Sequence, residues 1–101
     1  ELQLIIADGQ QLPTYQENVN FNGHAIEVRL YAEDPLNDFF PSFGKINDYS
    51  FSHSKNILIY SGIEKNQTVS SFYDPMVAKI ISYSETRNES IKQLLSFLSN
   101  L

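Results

Sequence analysis

Arg29 stands between Glu27 and Tyr31 at alternate positions of Glu27-Val28-Arg29-Leu30-Tyr31, so in an extended chain all three side chains leave one face. A guanidinium held by a carboxylate on a rigid element presents paired N–H donors that fit bicarbonate, a carboxylate or an enolate. The same spacing also describes a plain ion pair on a solvated face. Other chemistries find less support. The two histidines are His24 and His53. His53 lies between Ser52 and Ser54 in a polar turn, and no Gly-x-Ser-x-Gly elbow exists to build a hydrolytic triad. His24 falls on an apolar row, where a hydrogen-bonded core or edge histidine is expected, and no His-x-His or His-x-x-x-His pair suggests zinc. The four glycines, Gly9, Gly23, Gly44 and Gly62, are scattered singly, so no glycine-rich loop cradles a phosphate.

The elements that must position Arg29 follow from pattern. Residues 23–33 alternate, with His24, Ile26, Val28, Leu30 and Ala32 on one face and Ala25, Glu27, Arg29, Tyr31 and Glu33 on the other, which predicts a strand with a core side and a polar side. Upstream, Leu2, Leu4, Ile5, Ile6 and Ala7 followed by Asp8-Gly9 read as the last turns of a helix with Gly9 as its left-handed cap, and residues 10–22 as a connection. Downstream, Asp34-Pro35 reads as an N-cap and first helical residue, predicting a short helical turn over residues 36–40 that ends at Pro41. Ser42-Phe43-Gly44 is expected to turn, residues 45–51 to form a strand carrying Ile46, Tyr49 and Phe51, and residues 57–61 and 68–72 to add short strands. After the Tyr73-Asp74-Pro75 turn, the apolar run Val77, Ala78, Ile80, Ile81 and Tyr83 predicts a buried strand over residues 76–83. Thr86-Arg87-Asn88-Glu89 has the form of a capping box, with Ser84 as the rival cap, and Ile91, Leu94, Leu95, Leu98 and Leu101 follow at helical spacing.

Composition bounds the rest. The 101 residues are the length of one small domain, and 42% hydrophobic content with 19% charged is enough to build a core. Seven basic against 12 acidic residues give a net charge of −5, which disfavours nucleic acid as a partner. No cysteine is present, so disulfides, thiolate metal clusters and a cysteine nucleophile are excluded. No stretch approaches the roughly 20 apolar residues of a membrane span, and no signal peptide is visible at Glu1-Leu2-Gln3-Leu4. The sequons at Asn66 and Asn88 therefore read as chance.

The stretch Gly23-His24-Ala25-Ile26-Glu27-Val28-Arg29-Leu30-Tyr31-Ala32-Glu33-Asp34-Pro35 resembles the Gly-His-Ala-x-Glu-x-Arg-x-x-Ala-Glu-Asp-Pro motif of the C-terminal domain of biotin carboxylase. Phe40-Pro41-Ser42-Phe43-Gly44-Lys45-Ile46 is similar to that family's Leu-Pro-Ser-x-Gly-x-Ile, and Tyr73-Asp74-Pro75-Met76-Val77-Ala78-Lys79 to its Tyr-Asp-Pro-Met-x-x-Lys, in the same order. The resemblance implies an α+β, mainly antiparallel fold. Its sheet is a curled partial barrel, barrel-sandwich-hybrid-like, with a C-terminal amphipathic helix and an N-terminal helix remnant. It divides the chain into residues 1–15, a helix end and linker from a preceding ATP-grasp region, and residues 16–101, the domain itself.

The implied reaction is an ATP-dependent ligation in which bicarbonate is activated as carboxyphosphate and CO2 passes to carrier-bound biotin. Carried over by motif, Arg29 is the catalytic residue that binds bicarbonate and stabilises the biotin enolate. Glu27 and Asp74 stand at motif positions that orient Arg29, line the biotin pocket or serve as structural support for the loop, while Lys79 and Tyr73 are read as structural. Biotin, ATP and Mg (or Mn) are cofactors of the complete enzyme, with none bound by this piece alone and no metal ligands in it. The expected partners are the ATP-grasp region, a biotin carboxyl carrier domain and a carboxyltransferase subunit, in the cytoplasm or, in a eukaryote, the mitochondrial matrix. The wording of Arg29-Leu30-Tyr31-Ala32-Glu33 leans towards acyl-CoA carboxylase α subunits, methylcrotonoyl first and propionyl second. One block departs from the family: Ile57-Leu58-Ile59-Tyr60-Ser61 puts Leu58 and Tyr60 where members carry an arginine and an acid. That arginine serves a subunit interface in bacterial members, so this piece is expected to be monomeric. The competing class is a divergent, non-catalytic packing or assembly module of the same fold.

Overall fold

The computed structural model describes residues 1–52 and 54–101, so the turn histidine His53 lies outside the described residues. Three antiparallel strands form the central sheet, β1 (His24–Tyr31), β5 (Ile57–Ser61) and β7 (Met76–Ser84), in the order β1-β7-β5, and two short pairs of strands are interleaved with them along the chain. The short pairs are β2 (Glu33–Asp34) with β3 (Phe40–Pro41), and β4 (Gly44–Lys45) with β6 (Thr68–Val69). Helix α1 (Leu2–Ala7) precedes them, and α2 (Arg87–Leu98) closes the chain. The architecture is therefore mainly antiparallel sheet with a C-terminal helix.

Strand alternation divides the central sheet into two faces. On one, Val28 and Ile59 flank Ile80 from either side, and Ile26 and Ile57 flank Ser82. Helix α2 lies across this face and brings Leu94 and Phe97 onto Ile80, with Phe51 and Leu98 at the margin. Ile80 is wholly buried, as are Ser82 and Ser90. The two serines explain how a helix sits so close to a strand. Ser82 Oγ donates to the Ser90 carbonyl at 3.0 Å, and Ser90 Oγ donates to the His24 carbonyl at 2.7 Å, so each buried hydroxyl has a partner and the helix is tied to both β7 and β1. His24 itself is exposed at the start of an edge strand.

Both helix ends match their sequence signals. The Thr86 hydroxyl accepts from the Glu89 amide at 3.3 Å while Glu89 Oε2 accepts from the Thr86 amide at 3.2 Å, the reciprocal bonds of a capping box, which settles the N-cap on Thr86 rather than Ser84. At α1, Gly9 has φ +77° and donates to the Ile6 carbonyl, and Gln10 donates to that of Ile5, a complete Schellman closure.

Four expectations are corrected. The helical turn over residues 36–40 does not form. Asp34 Oδ1 does accept from the Leu36 amide at 3.0 Å, as a cap would, but Asp38 and Phe39 turn left-handed (φ 55° and 57°), which returns the chain as β3 beside β2. Hairpin closure overrides the capping signal. The strand over residues 23–33 breaks at Ala32, with a register irregularity between Leu30 and Tyr31. The strands over 45–51 and 68–72 shrink to Gly44–Lys45 and Thr68–Val69, paired only with each other, and Gly44 is strand rather than turn. Finally, α2 stops at Leu98. Leu95 and Leu101 are exposed, and Phe97 and Ser90 take the buried places expected of that leucine row.

Candidate functional site

Among the described residues, the other face of the central sheet is left uncovered by α2. It carries Ala25, Glu27 and Arg29 from β1, Lys79, Ile81 and Tyr83 from β7, and Leu58 and Tyr60 from β5. The register sets Arg29 directly across from Lys79 and Tyr60 directly across from Lys79 on the other side. Two cations opposed on adjacent strands repel each other unless an anion stands between them. Glu27 does so: its Oε1 accepts from Arg29 Nε at 3.3 Å, and its Oε2 lies 3.7 Å from Lys79 Nζ. The Tyr60 ring lies under the ammonium, with Nζ 5.7 Å from the ring centre.

Arg29 is the most solvent-facing of the three charges, its side chain 60% exposed. Its pKa is raised above the ordinary arginine value, first by hydrogen bonding to Tyr31 and then by Glu27. Of these two partners, the Glu27 contact has the geometry of a closed hydrogen bond. The guanidinium is a fixed cation throughout the neutral range. With Nε engaged by Glu27, four of its five N–H donors, all on the terminal nitrogens, remain uncommitted to a carboxylate. Such a fork can clasp a planar oxyanion through two parallel hydrogen bonds.

The structure thus joins Glu27 to Arg29 and holds Asp74 apart from them. Lys79 to Met76 is about 10 Å of strand at 3.3 Å per residue, and Asp74 lies beyond that end. There its Oδ1 accepts from the Met76 amide at 2.7 Å, bracing the turn through Pro75 into β7. Asp74 and Tyr73 line a separate cleft of about 180 Å³ with Gly62, Ile63, Thr68 and Val69. Among the described residues no group of three His, Asp or Glu side chains gathers as a metal would require. Lys79, expected from the sequence to be structural, and Tyr60, expected only as a departure from the family pattern, are members of the Arg29 cluster. The available signal was a lone lysine inside the apolar run of β7, but the register that aims it at Glu27 is non-local.

Comparison with known proteins places these features in context. The family model described as biotin carboxylase C-terminal domain matches residues 27–101. The biotin carboxylase of Halalkalibacterium halodurans is 48% identical over 94 residues, which is 93% of this chain and 21% of that protein. The mitochondrial methylcrotonoyl-CoA carboxylase subunit alpha of Oryza sativa is 41% identical over 101 residues, 99% of this chain and 14% of that protein. Among solved structures, the biotin carboxylase domain of thermophilic 2-oxoglutarate carboxylase bound to bicarbonate superposes with a TM-score of 0.90 at 33% identity, covering 96% of this chain and 22% of that one. The chain spans about a fifth or less of the length of these relatives.

Proposed function

This chain belongs to the biotin carboxylase C-terminal domain family, and we propose that it forms one wall of the active site of a complete ATP-dependent biotin carboxylase, with Arg29 as the group that holds bicarbonate and then the biotin ureido oxygen as negative charge builds there. The observation that carries the reading is the Arg29 fork. It is anchored at Nε, free of carboxylates at its terminal nitrogens, and set on a sheet face that α2 leaves open. A preorganised cation aimed at developing charge stabilises a transition state more than a ground state. Glu27 orients the fork; Asp74 lines the biotin approach from its separate cleft with the oxygen that its turn does not use.

The division of labour is part of the proposal. Residues 1–15 are the stem of a preceding ATP-grasp region and residues 16–101 the domain, with ATP and Mg held by that region rather than by this chain, biotin arriving on a carrier domain, and a carboxyltransferase taking the product. The shape supports this. The radius of gyration is 17.6 Å, against about 13 Å for a compact 100-residue domain. Leu2, Leu4, Phe21, Leu36 and Phe72 stand half to fully exposed, as surfaces do that a larger body covers. The curled partial barrel belongs to the same reading, supported by the irregularity at Leu30 and Tyr31, where a strand bends into β2. Among the described residues no helix is long and apolar enough to cross a membrane; the proposed location is the cytoplasm, or the mitochondrial matrix in a eukaryote. The proposed acceptor is methylcrotonoyl-CoA first and propionyl-CoA second, on the wording around Arg29 and the likeness to the rice subunit. Assaying the full enzyme with its carboxyltransferase against a panel of acceptors decides it.

The central test is Arg29→Ala and Arg29→Lys in the full-length enzyme. Both are expected to lower bicarbonate-dependent ATP cleavage and biotin carboxylation by about 100-fold, lysine failing because it lacks the fork. Wild-type rates in Arg29→Ala would sink the reading.

A further inference from the structure

We propose that Lys79 is a positioning residue for Arg29, acting through Glu27, and that the Tyr60 ring holds it in place; this deepens the reading of Arg29 above and rests on it. A carboxylate has two oxygens, and an arginine beside it draws both, one to Nε and one to a terminal nitrogen. That paired geometry would consume a terminal N–H that an incoming anion needs. Here Glu27 is divided instead. Oε1 meets Arg29 Nε at 3.3 Å, and Oε2 faces Lys79 Nζ at 3.7 Å from the neighbouring strand. Lys79 therefore keeps Glu27 bound to Arg29 through a single oxygen and leaves the outer edge of the fork open.

The register makes the device possible, because β7 lies between β1 and β5 and sets Lys79 within reach of both Glu27 and Tyr60. Tyr60 offers no competing carboxylate and presents a ring face at 5.7 Å. The ammonium is thus left to Glu27. An acid at position 60 would draw Lys79 towards β5 and release Oε2.

The test uses steady-state kinetics of the full-length enzyme, reading the bicarbonate KM separately from kcat and from the ATP KM. Lys79→Met is expected to raise the bicarbonate KM roughly 5-fold, the scale of one partly exposed ion pair, with the ATP KM unchanged; Lys79→Arg should recover it. Because Lys79 acts through Glu27, the doubly substituted Glu27→Gln, Lys79→Met enzyme should match Glu27→Gln alone. Tyr60→Leu, at a half-exposed side chain, should move the bicarbonate KM about 2-fold in the same direction, and serves if Lys79→Met does not fold. A Lys79→Met effect that survives undiminished in the Glu27→Gln background, or that falls on kcat and melting temperature alone, overturns the proposal. So does an unchanged bicarbonate KM in Lys79→Met while Arg29→Ala is inactive, which leaves the reading of Arg29 standing. An active Arg29→Ala enzyme removes both.

Discussion

The two faces of the β1-β7-β5 sheet are made from the same three strands and differ in almost everything else. Under α2, Ile80 meets Leu94 and Phe97 in a buried core, with the half-buried Val28 and Ile59 packed against it. On the open side, Arg29, Lys79 and Tyr60 occupy the adjacent register positions with Glu27 between the two cations, all partly or largely exposed. Each strand serves both faces by turns, since neighbouring residues point in opposite directions. The lesson is a separation of tasks within one element: on β7, Ala78, Ile80, Ser82 and Ser84 are buried and hold the fold, while Lys79 between them presents a charge on the open face. Substitutions should then divide cleanly by face.

The sharpest attempt to break that division is Leu94→Asp. Leu94 is 5% exposed and packs on Ile80, so a carboxylate there is buried without a partner. A loss on the order of 4–5 kcal/mol is expected, a large share of the stability of any small domain. Thermal unfolding followed by circular dichroism should show the cooperative transition lost or moved far down. An unchanged melting temperature would mean that α2 does not secure the covered face.

A smaller effect is expected at the rim where both faces begin. Gly23 precedes β1 with φ +71°, and a Cβ there would sit 2.5 Å from the Ser84 carbonyl oxygen and 2.7 Å from the Tyr83 hydroxyl, which itself donates to the Asn22 carbonyl. Gly23→Ala therefore combines a left-handed backbone, about 1–2 kcal/mol, with a clash that β1 or β7 must move to relieve. Gly9→Ala is the control: φ is similar at +77°, but no atom of the described residues lies within 4 Å of the added carbon, and α1 buries no residue. Gly23→Ala should lower the melting temperature and Gly9→Ala should leave it nearly in place. Equal effects would show that backbone strain alone, without the clash, governs the first position.

What the sequence made legible follows the range of the signal. Alternation over residues 23–33 located Arg29 and Glu27 on one face, and the Thr86 capping box and Gly9 closure located two helix ends, because each is written within a few residues. The loop after Asp34 was misread because its capping bond is real but the decision lies with the returning strand. Two-residue strands such as Gly44–Lys45 exist only by virtue of a partner more than 20 residues away, as Lys45 does with Thr68. The same non-locality hid Lys79. Its place in an apolar run was visible, but its alignment with Arg29 and Tyr60 belongs to the register of three strands.

The last and smallest effect on stability is expected on the open face, and it is the one that sharpens the comparison most. Arg29 is not among the residues that build the core, and its contact with Glu27 is solvent-exposed, where ion pairs contribute little to folding. Its raised pKa adds no pH dependence in the neutral range: a group held above its ordinary value loses its stabilising contribution only as pH rises through that value, and for a guanidinium this lies far into alkali. Arg29→Ala should therefore leave the melting temperature unmoved between mildly acidic and mildly alkaline buffers while lowering carboxylation of biotin by about 100-fold. Calorimetry of the full-length variant beside wild type reads the first quantity, and the same preparation assayed for carboxylation reads the second. A variant that loses activity and stability together would place Arg29 among the groups that hold the sheet. Loss of activity at constant stability would make the uncovered face a surface kept for chemistry alone, and would explain why a domain with so small a core leaves its best-formed sheet open on one side.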